Sequence, residues 1–328
     1  MIAGMVIAWS IYYTVSKLTV DATGSALTAG FLLRSAALLF LTVQLVIDGT
    51  FAGLVKQGRA VFPLVAIGVF GFLLDLFANL GYRCGSLGTG TALLKTDVLM
   101  VNLVTVLVMR KKLYATDWIG TFVMLGGVLL VLGVDFSGVS FRATDLFFLA
   151  SAACVTANAF LIKHVQQKHG TDSDTISYYN NFVVLLLFAL FSFAGGGLSS
   201  LRAETLGRIW PLVLLGGLAQ TGIYFFYYRN LRSMEVWAVK LWLLLMPVLS
   251  CLIGAAFLNE RLTAWKAAGI AVVLAGAALI LLREKLNGRK RAAADNANEN
   301  ENANDNDNAN ANDNADGNGN ENENGNDR

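Results

Sequence analysis

Ten apolar stretches divide the chain, at roughly 1–18, 25–47, 61–81, 90–109, 116–134, 144–162, 176–194, 209–228, 236–257 and 265–282. Each is close to the about 20 residues that carry a helix across a bilayer. Lipid offers the backbone no hydrogen bonds, so a spanning chain forms helices or a closed barrel. A barrel would show short segments alternating apolar and polar, and these windows are continuous. The pattern predicts an all-α polytopic membrane protein with ten transmembrane helices. No basic residue precedes the first apolar run and Lys17 follows it, so it reads as helix 1 rather than a secretory leader.

One of these stretches is written twice. "KKLYATDWIGTFVMLGGVLLVL" runs from Lys111 to Leu132, and "ERLTAWKAAGIAVVLAGAALIL" runs from Glu260 to Leu281. Leu113 falls on Leu262, Gly120 on Gly269, Gly127 on Gly276 and Leu132 on Leu281, a shift of 149 residues. The two hairpins join windows 4 to 5 and 9 to 10, five helices apart. An odd shift turns the second copy upside down in the membrane. A weaker match of "TVSKL" around Lys17 with "FLIKH" around Lys163 extends the likeness to windows 1–2 and 6–7. The expectation is two inverted five-helix repeats, residues 1–134 and 135–285, followed by a tail at 286–328. Inverted repeats of this kind mark secondary transporters.

Charge gives the orientation. The chain is 55% hydrophobic and 15% charged, against roughly 45–50% and 25% for soluble domains, so its few charges stand out. With both termini in the cytoplasm, the loops after helices 2, 4, 6 and 8 and the C-terminal flank carry 14 Lys and Arg, and the opposite side carries 7. This is the positive-inside bias. It explains why the repeated loop reads Lys-Lys in its first copy and Glu-Arg in its second. Beyond the basic run Arg283–Arg291, the segment from Ala292 holds 15 Asn and 10 acids with no large apolar side chain; it has nothing to bury and is expected to stay disordered.

The segments Ala92–Leu132 and Lys240–Leu282, with Pro247 and the "NERL" turn at 259–262, resemble the two halves of an EamA-type member of the drug/metabolite transporter superfamily. The likeness covers residues 1 to about 285. Val98 stands where the first half of the family usually has proline, and Lys111 where its first turn is usually acidic. The resemblance implies a ten-helix carrier of the cell (inner) membrane, exporting an amino acid or another small metabolite by alternating access. Its partners would be that solute and the lipid bilayer, with no nucleic acid, no cofactor and a coupling ion left open. A membrane-embedded enzyme or a non-transporting scaffold is the alternative.

Ionisable groups inside membrane helices are costly and mark function or helix-to-helix ion pairs. They are Arg34, Asp75, Lys95, Asp97 and Lys240. Asp75 and Asn79 share a face of helix 3, and Lys95 and Asn102, seven apart, share a face of helix 4. On helix 8, Gln220, Tyr224 and Tyr228 follow at four-residue spacing, and on helix 9 Trp237 and Lys240 lie three apart. With Asn158 of helix 6, these faces predict a polar, aromatic-lined central cavity whose candidate substrate contacts are Asp75, Asn79, Lys95, Asn102, Asn158, Tyr224, Tyr228, Trp237 and Lys240. The competing expectation is mutual neutralisation, for example Asp75 with Lys95, and for Arg34 a helix-to-helix pair leads. Asn180 and Asn181 read as bridges between helices, and Trp9, Tyr12 and Tyr13 as packing or interfacial anchors.

Other chemistry has no constellation. "GSLGTG" (Gly85–Gly90) lacks the Gly-Lys-Ser/Thr ending of a phosphate loop and reads as a connection. There is no GxSxG or HExxH arrangement. Cys84, Cys154 and Cys251 are isolated, and His164 and His169 sit in a basic loop without cysteines nearby. Single-cysteine labelling of intact and permeabilised cells tests the topology. Residues 110–117 should label only from the cytoplasm and residues 258–264 only from outside; equal labelling of both loops from one side contradicts it.

Overall fold

In a computed structural model, described over residues 1–56, 60–84, 93–132, 145–195, 203–246, 248–249 and 263–279, every regular element is helical. The helices are α1 (Ile2–Thr23), α2 (Ala26–Ile47), α3 (Val61–Cys84), α4 (Asp97–Leu107), α5 (Ala115–Leu132), α6 (Asp145–Lys168), α7 (Ser173–Ala194), α8 (Ala203–Ser233), α9 (Val236–Trp242) and α10 (Ala264–Leu279). The expectations for "GSLGTG", Pro247, Cys251, the "NERL" turn, the basic run at 283–291 and the tail fall outside the described residues. Five helices, α2, α3, α6, α7 and α8, are long and apolar enough to cross a membrane, and α4, α5, α9 and α10 are shorter apolar helices. The 22 residues of α1 suffice in length but include Ser10, Tyr12, Tyr13, Ser16 and Lys17. The chain is a multi-pass membrane protein.

Two windows carry a break that their hydropathy does not predict. Leu93 and Leu94 are helical, Lys95 and Thr96 form a turn in which the Thr96 N–H and hydroxyl both reach the Leu93 carbonyl, at 3.1 and 2.6 Å, and α4 begins at Asp97. Lys95 therefore sits in the turn before α4 rather than on its face. α9 passes into a 3-10 turn at Leu243–Leu245. Pro247 follows in sequence, and a proline ring carries no N–H for the carbonyl four residues earlier, here Leu243.

The same turn grammar opens each half. α1 ends on Gly24 with φ 66°, and Ser25 then caps α2 by accepting the Thr28 N–H at 3.3 Å. α6 is followed by Gly170 with φ 64°, and Asp172 caps α7 by accepting the Thr175 N–H at 2.7 Å. Glycine suits the left-handed position, and a short oxygen-bearing side chain satisfies the first free amides of the next helix.

Packing follows a two-fold pattern. α1 lies on α8 and α3 on α6; α2 lies on α8 and α3 on α7; α2 and α7 lie on each other. Shifting every helix by five exchanges these pairs among themselves. The residues agree, since Gly68 of α3 abuts Val183 of α7 and Gly217 of α8 abuts Ala36 of α2. α5 and α10 cross antiparallel in the same manner. A Cβ on Gly127 would lie 2.9 Å from the Gly269 carbonyl oxygen, and one on Gly276 would lie 3.2 Å from that of Gly120. The 149-residue shift carries the first contact onto the second. Small residues permit this backbone approach without a hydrophobic force to drive it.

Gly127 and its neighbour make a paired test. A Cβ at Gly127 would also stand 2.7 Å from the Val273 amide nitrogen, whereas one at Gly126 meets nothing within 4 Å. Gly127→Ala should destabilise by about 1–3 kcal/mol through overpacking, and Gly126→Ala should be neutral or gain up to about 1 kcal/mol from helix propensity. Thermal unfolding of the purified variants checks the ordering, and equal effects contradict the crossing.

Candidate functional site

Arg34 of α2 is the centre of a buried network. Its Nε donates to Asp75 Oδ2 of α3 at 2.8 Å, and its Nη2 donates to the same oxygen. Its Nη1 donates to the Tyr224 hydroxyl of α8 and to Asn181 Oδ1 of α7, the latter at 3.4 Å. Tyr12 of α1 donates to Asp75 Oδ2 at 3.3 Å, and Asn181 returns its amide to the Arg34 carbonyl at 3.0 Å. The guanidinium also lies 5.8 Å from the ring centres of both Tyr12 and Tyr224, a spacing at which a cation is drawn to an aromatic face. Five helices thus meet at one side chain.

The network lies across the internal two-fold. Arg34 is nine residues beyond its cap Ser25, and Asn181 nine beyond its cap Asp172. Asp75 and Tyr224 are related by the same 149-residue shift that relates Gly68 to Gly217. Equivalent positions in the two halves therefore meet, with a cation and an acid from the first half and an amide and a phenol from the second.

Against this network lies an internal cavity of about 30 Å³, lined in part by Trp9, Asn158, Asn180, Gln220, Tyr227 and Tyr228. All three polar residues of the α8 face, Gln220, Tyr224 and Tyr228, look into it as the spacing predicts. Tyr228 accepts a hydrogen bond from Asn180, and Asn158 donates to the Ile67 carbonyl at 2.9 Å. The Trp9 indole nitrogen and Asn180 Oδ1 are buried there without a partner among the described residues.

A second charged cluster lies beyond Tyr227. Lys240 of α9 pairs with Asp97 Oδ2 at 2.9 Å, and its ammonium stands 5.4 Å from the Tyr227 ring centre. Lys95, 5% exposed, meets the Met246 sulfur at 3.4 Å and the Tyr13 ring at 6.0 Å. Trp9 links the clusters, with its ring centre 5.2 Å from that of Tyr13 and 6.0 Å from that of Tyr227.

The expected pairing of Asp75 with Lys95 is therefore wrong: Asp75 is held by Arg34 and Asp97 by Lys240. Sequence separations of 41 and 143 residues carry no pairing signal. Of the nine named candidates, Asp75, Asn158, Tyr224 and Tyr228 line the cavity, Lys95 and Lys240 belong to the second cluster, and the other three make contacts elsewhere. Asn79 accepts from Ser16 at 3.1 Å and donates to the Ala26 carbonyl at 3.5 Å, joining α1, α2 and α3. Asn102 donates to Thr121 of α5 at 3.2 Å, and Trp237 is half-buried against the central apolar cluster that also holds Trp9 and Tyr227. Arg34, Tyr12, Asn181 and Tyr227 complete the candidate site: the sequence read Arg34 as a helix-to-helix pair, which it forms with Asp75, read Tyr12 and Asn181 as packing and bridging residues, and did not single out Tyr227. An arginine amid the apolar residues of "FLLRSAALL" was the available signal for the first.

Fold and site define a helical membrane protein with a polar, charge-lined centre, as carriers have. The profile of the EamA-like transporter family matches residues 1–133 and again 142–282, and the chain belongs to that family, within the drug/metabolite transporter superfamily. An uncharacterized transporter of Archaeoglobus fulgidus is 25% identical over 217 residues, which cover 66% of this chain and 76% of that protein. A solved crystal structure, described only as that of a protein, shares the fold with a TM-score of 0.63 at 20% identity, covering 87% of this chain and 98% of its own.

The Lys240–Asp97 pair can be dissected. Asp97→Asn leaves a buried lysine unpaired and should cost about 3–5 kcal/mol, whereas Asp97→Leu combined with Lys240→Met should recover most of that loss. A double-mutant cycle on unfolding in detergent measures it, and additive losses contradict the pair.

Proposed function

We propose that the chain is a secondary carrier exporting a small polar metabolite, such as an amino acid, by alternating access. Ten spans in two inverted halves, 1–134 and 135–285, enclose the solute path, both termini face the cytoplasm of the cell membrane, and the Asn-rich segment at 286–328 extends into it. The observation that carries this reading is the cavity beside Arg34 and Asp75, built by helices of both halves. At about 30 Å³ it has room for about two waters, far below the roughly 300 Å³ of a ligand pocket. A solute can occupy the centre only if the halves move apart, first on one side and then on the other, and symmetric contacts between α3–α7 and α2–α8 allow equivalent openings. An exposed bridge of 2.8 Å between Lys111 of the α4–α5 turn and Glu235 at the start of α9 ties the two halves on the proposed cytoplasmic side; exposed pairs of this kind are worth up to about 1 kcal/mol and open readily.

Counterflow in proteoliposomes across a panel of amino acids and other small polar metabolites tests the reading. Wild-type protein should show saturable exchange of at least one of them. Asn158→Ala and Gln220→Ala remove cavity amides without uncovering a charge, so they should keep normal yield and lower flux about tenfold or more. Wild-type flux in both variants contradicts the cavity as the route.

A further inference from the structure

Among the described residues the buried charges do not balance. Away from the ends of the apolar windows the sequence places three cations, Arg34, Lys95 and Lys240, and two acids, Asp75 and Asp97. Asp75 is taken by Arg34 and Tyr12, and Asp97 Oδ2 by Lys240. Among the described residues two other charged side chains are buried, and backbone holds both. Lys163 donates to the carbonyls of Leu231 and Met234 at 2.7 and 2.8 Å, and Asp117 accepts the Tyr114 N–H at 3.0 Å. Lys95 has neither arrangement. No carboxylate among the described residues lies within ion-pair distance of its ammonium, which meets a thioether and a ring face. Two residues along the chain, Asp97 Oδ1 is buried with no donor among the described residues.

On the reading of the chain as a carrier, we infer that its solute is an organic anion, a carboxylate with a hydroxyl beside it, and that Lys95 receives the carboxylate. A buried charge is tolerated when paired, and a carboxylate on Lys95 brings the centre to neutrality. The solute hydroxyl supplies Asp97 Oδ1 with its missing donor. An ammonium in that place would satisfy the same oxygen but add a cation beside Lys95 and Lys240, leaving one positive charge uncompensated. The site thereby selects a hydroxy acid over the amino acid of the same shape.

L-lactate, L-alanine and propionate are matched in size and differ in the hydroxyl, the net charge or both. Thermal unfolding of the full chain in nanodiscs, titrated with each, should show L-lactate binding about tenfold or more tightly than the other two, because a site built to bond a hydroxyl rejects analogues without it. Lys95→Met should abolish the L-lactate shift and raise the ligand-free unfolding temperature, since it removes an uncompensated charge; Lys95→Arg should retain the shift. L-alanine binding as tightly as L-lactate, an L-lactate shift surviving in Lys95→Met, or no shift with any of the three overturns the inference. Each of these results leaves the carrier reading standing, since that reading fails only if the counterflow panel shows no exchange.

Discussion

A guanidinium buried among membrane helices sets the terms for the rest of the structure. Arg34 has five N–H donors and is never deprotonated, so each donor needs an acceptor where water is scarce. Asp75 takes the charge, and Tyr224 and Asn181 take the remaining face. Those acceptors stand on α3, α7 and α8, while Tyr12 completes Asp75 from α1. A lysine would supply a point charge without the planar fork that reaches several helices at once. The packing of α1, α2, α3, α7 and α8 is thus as much an electrostatic arrangement as a steric one.

The helical frame is symmetric and the chemistry placed on it is not. Equivalent glycines and caps bring equivalent positions together at the centre, yet the first half supplies Arg34 and Asp75 where the second supplies Asn181 and Tyr224. The frame gives the two halves interchangeable contacts, α1 on α8 matching α6 on α3 and α2 on α8 matching α7 on α3. The residues on it give the centre a polarity that does not interchange, with Lys95, Asp97 and Lys240 gathered on one side of Tyr227.

Much of the frame was legible in the sequence, because the lipid solvent forces long apolar helices and the repeat kept its glycines at a fixed shift. Gly120, Gly127, Gly269 and Gly276 were readable as matching positions of the repeat, and the face of Gln220, Tyr224 and Tyr228 as inward. The pairing of charges was not. Arg34 and Asp75 are partners through tertiary packing alone, and three windows with similar polarity offered Lys95 an equal claim on the acid. Asn79 and Asn102 are as polar as Asn158, and only the helix that each one meets separates a bridge between helices from a cavity wall. Lys95 seemed to lie on a helix face because hydropathy carries no trace of the turn at 95–96.

The measurement that bears most directly on this account is the reciprocal exchange of Arg34 and Asp75. If their ion pair positions the helices around the centre, Arg34→Asp and Asp75→Arg should each prevent accumulation of monodisperse protein in the membrane, and the double exchange should restore a monodisperse species. Single exchanges that accumulate and unfold like the wild type would contradict it.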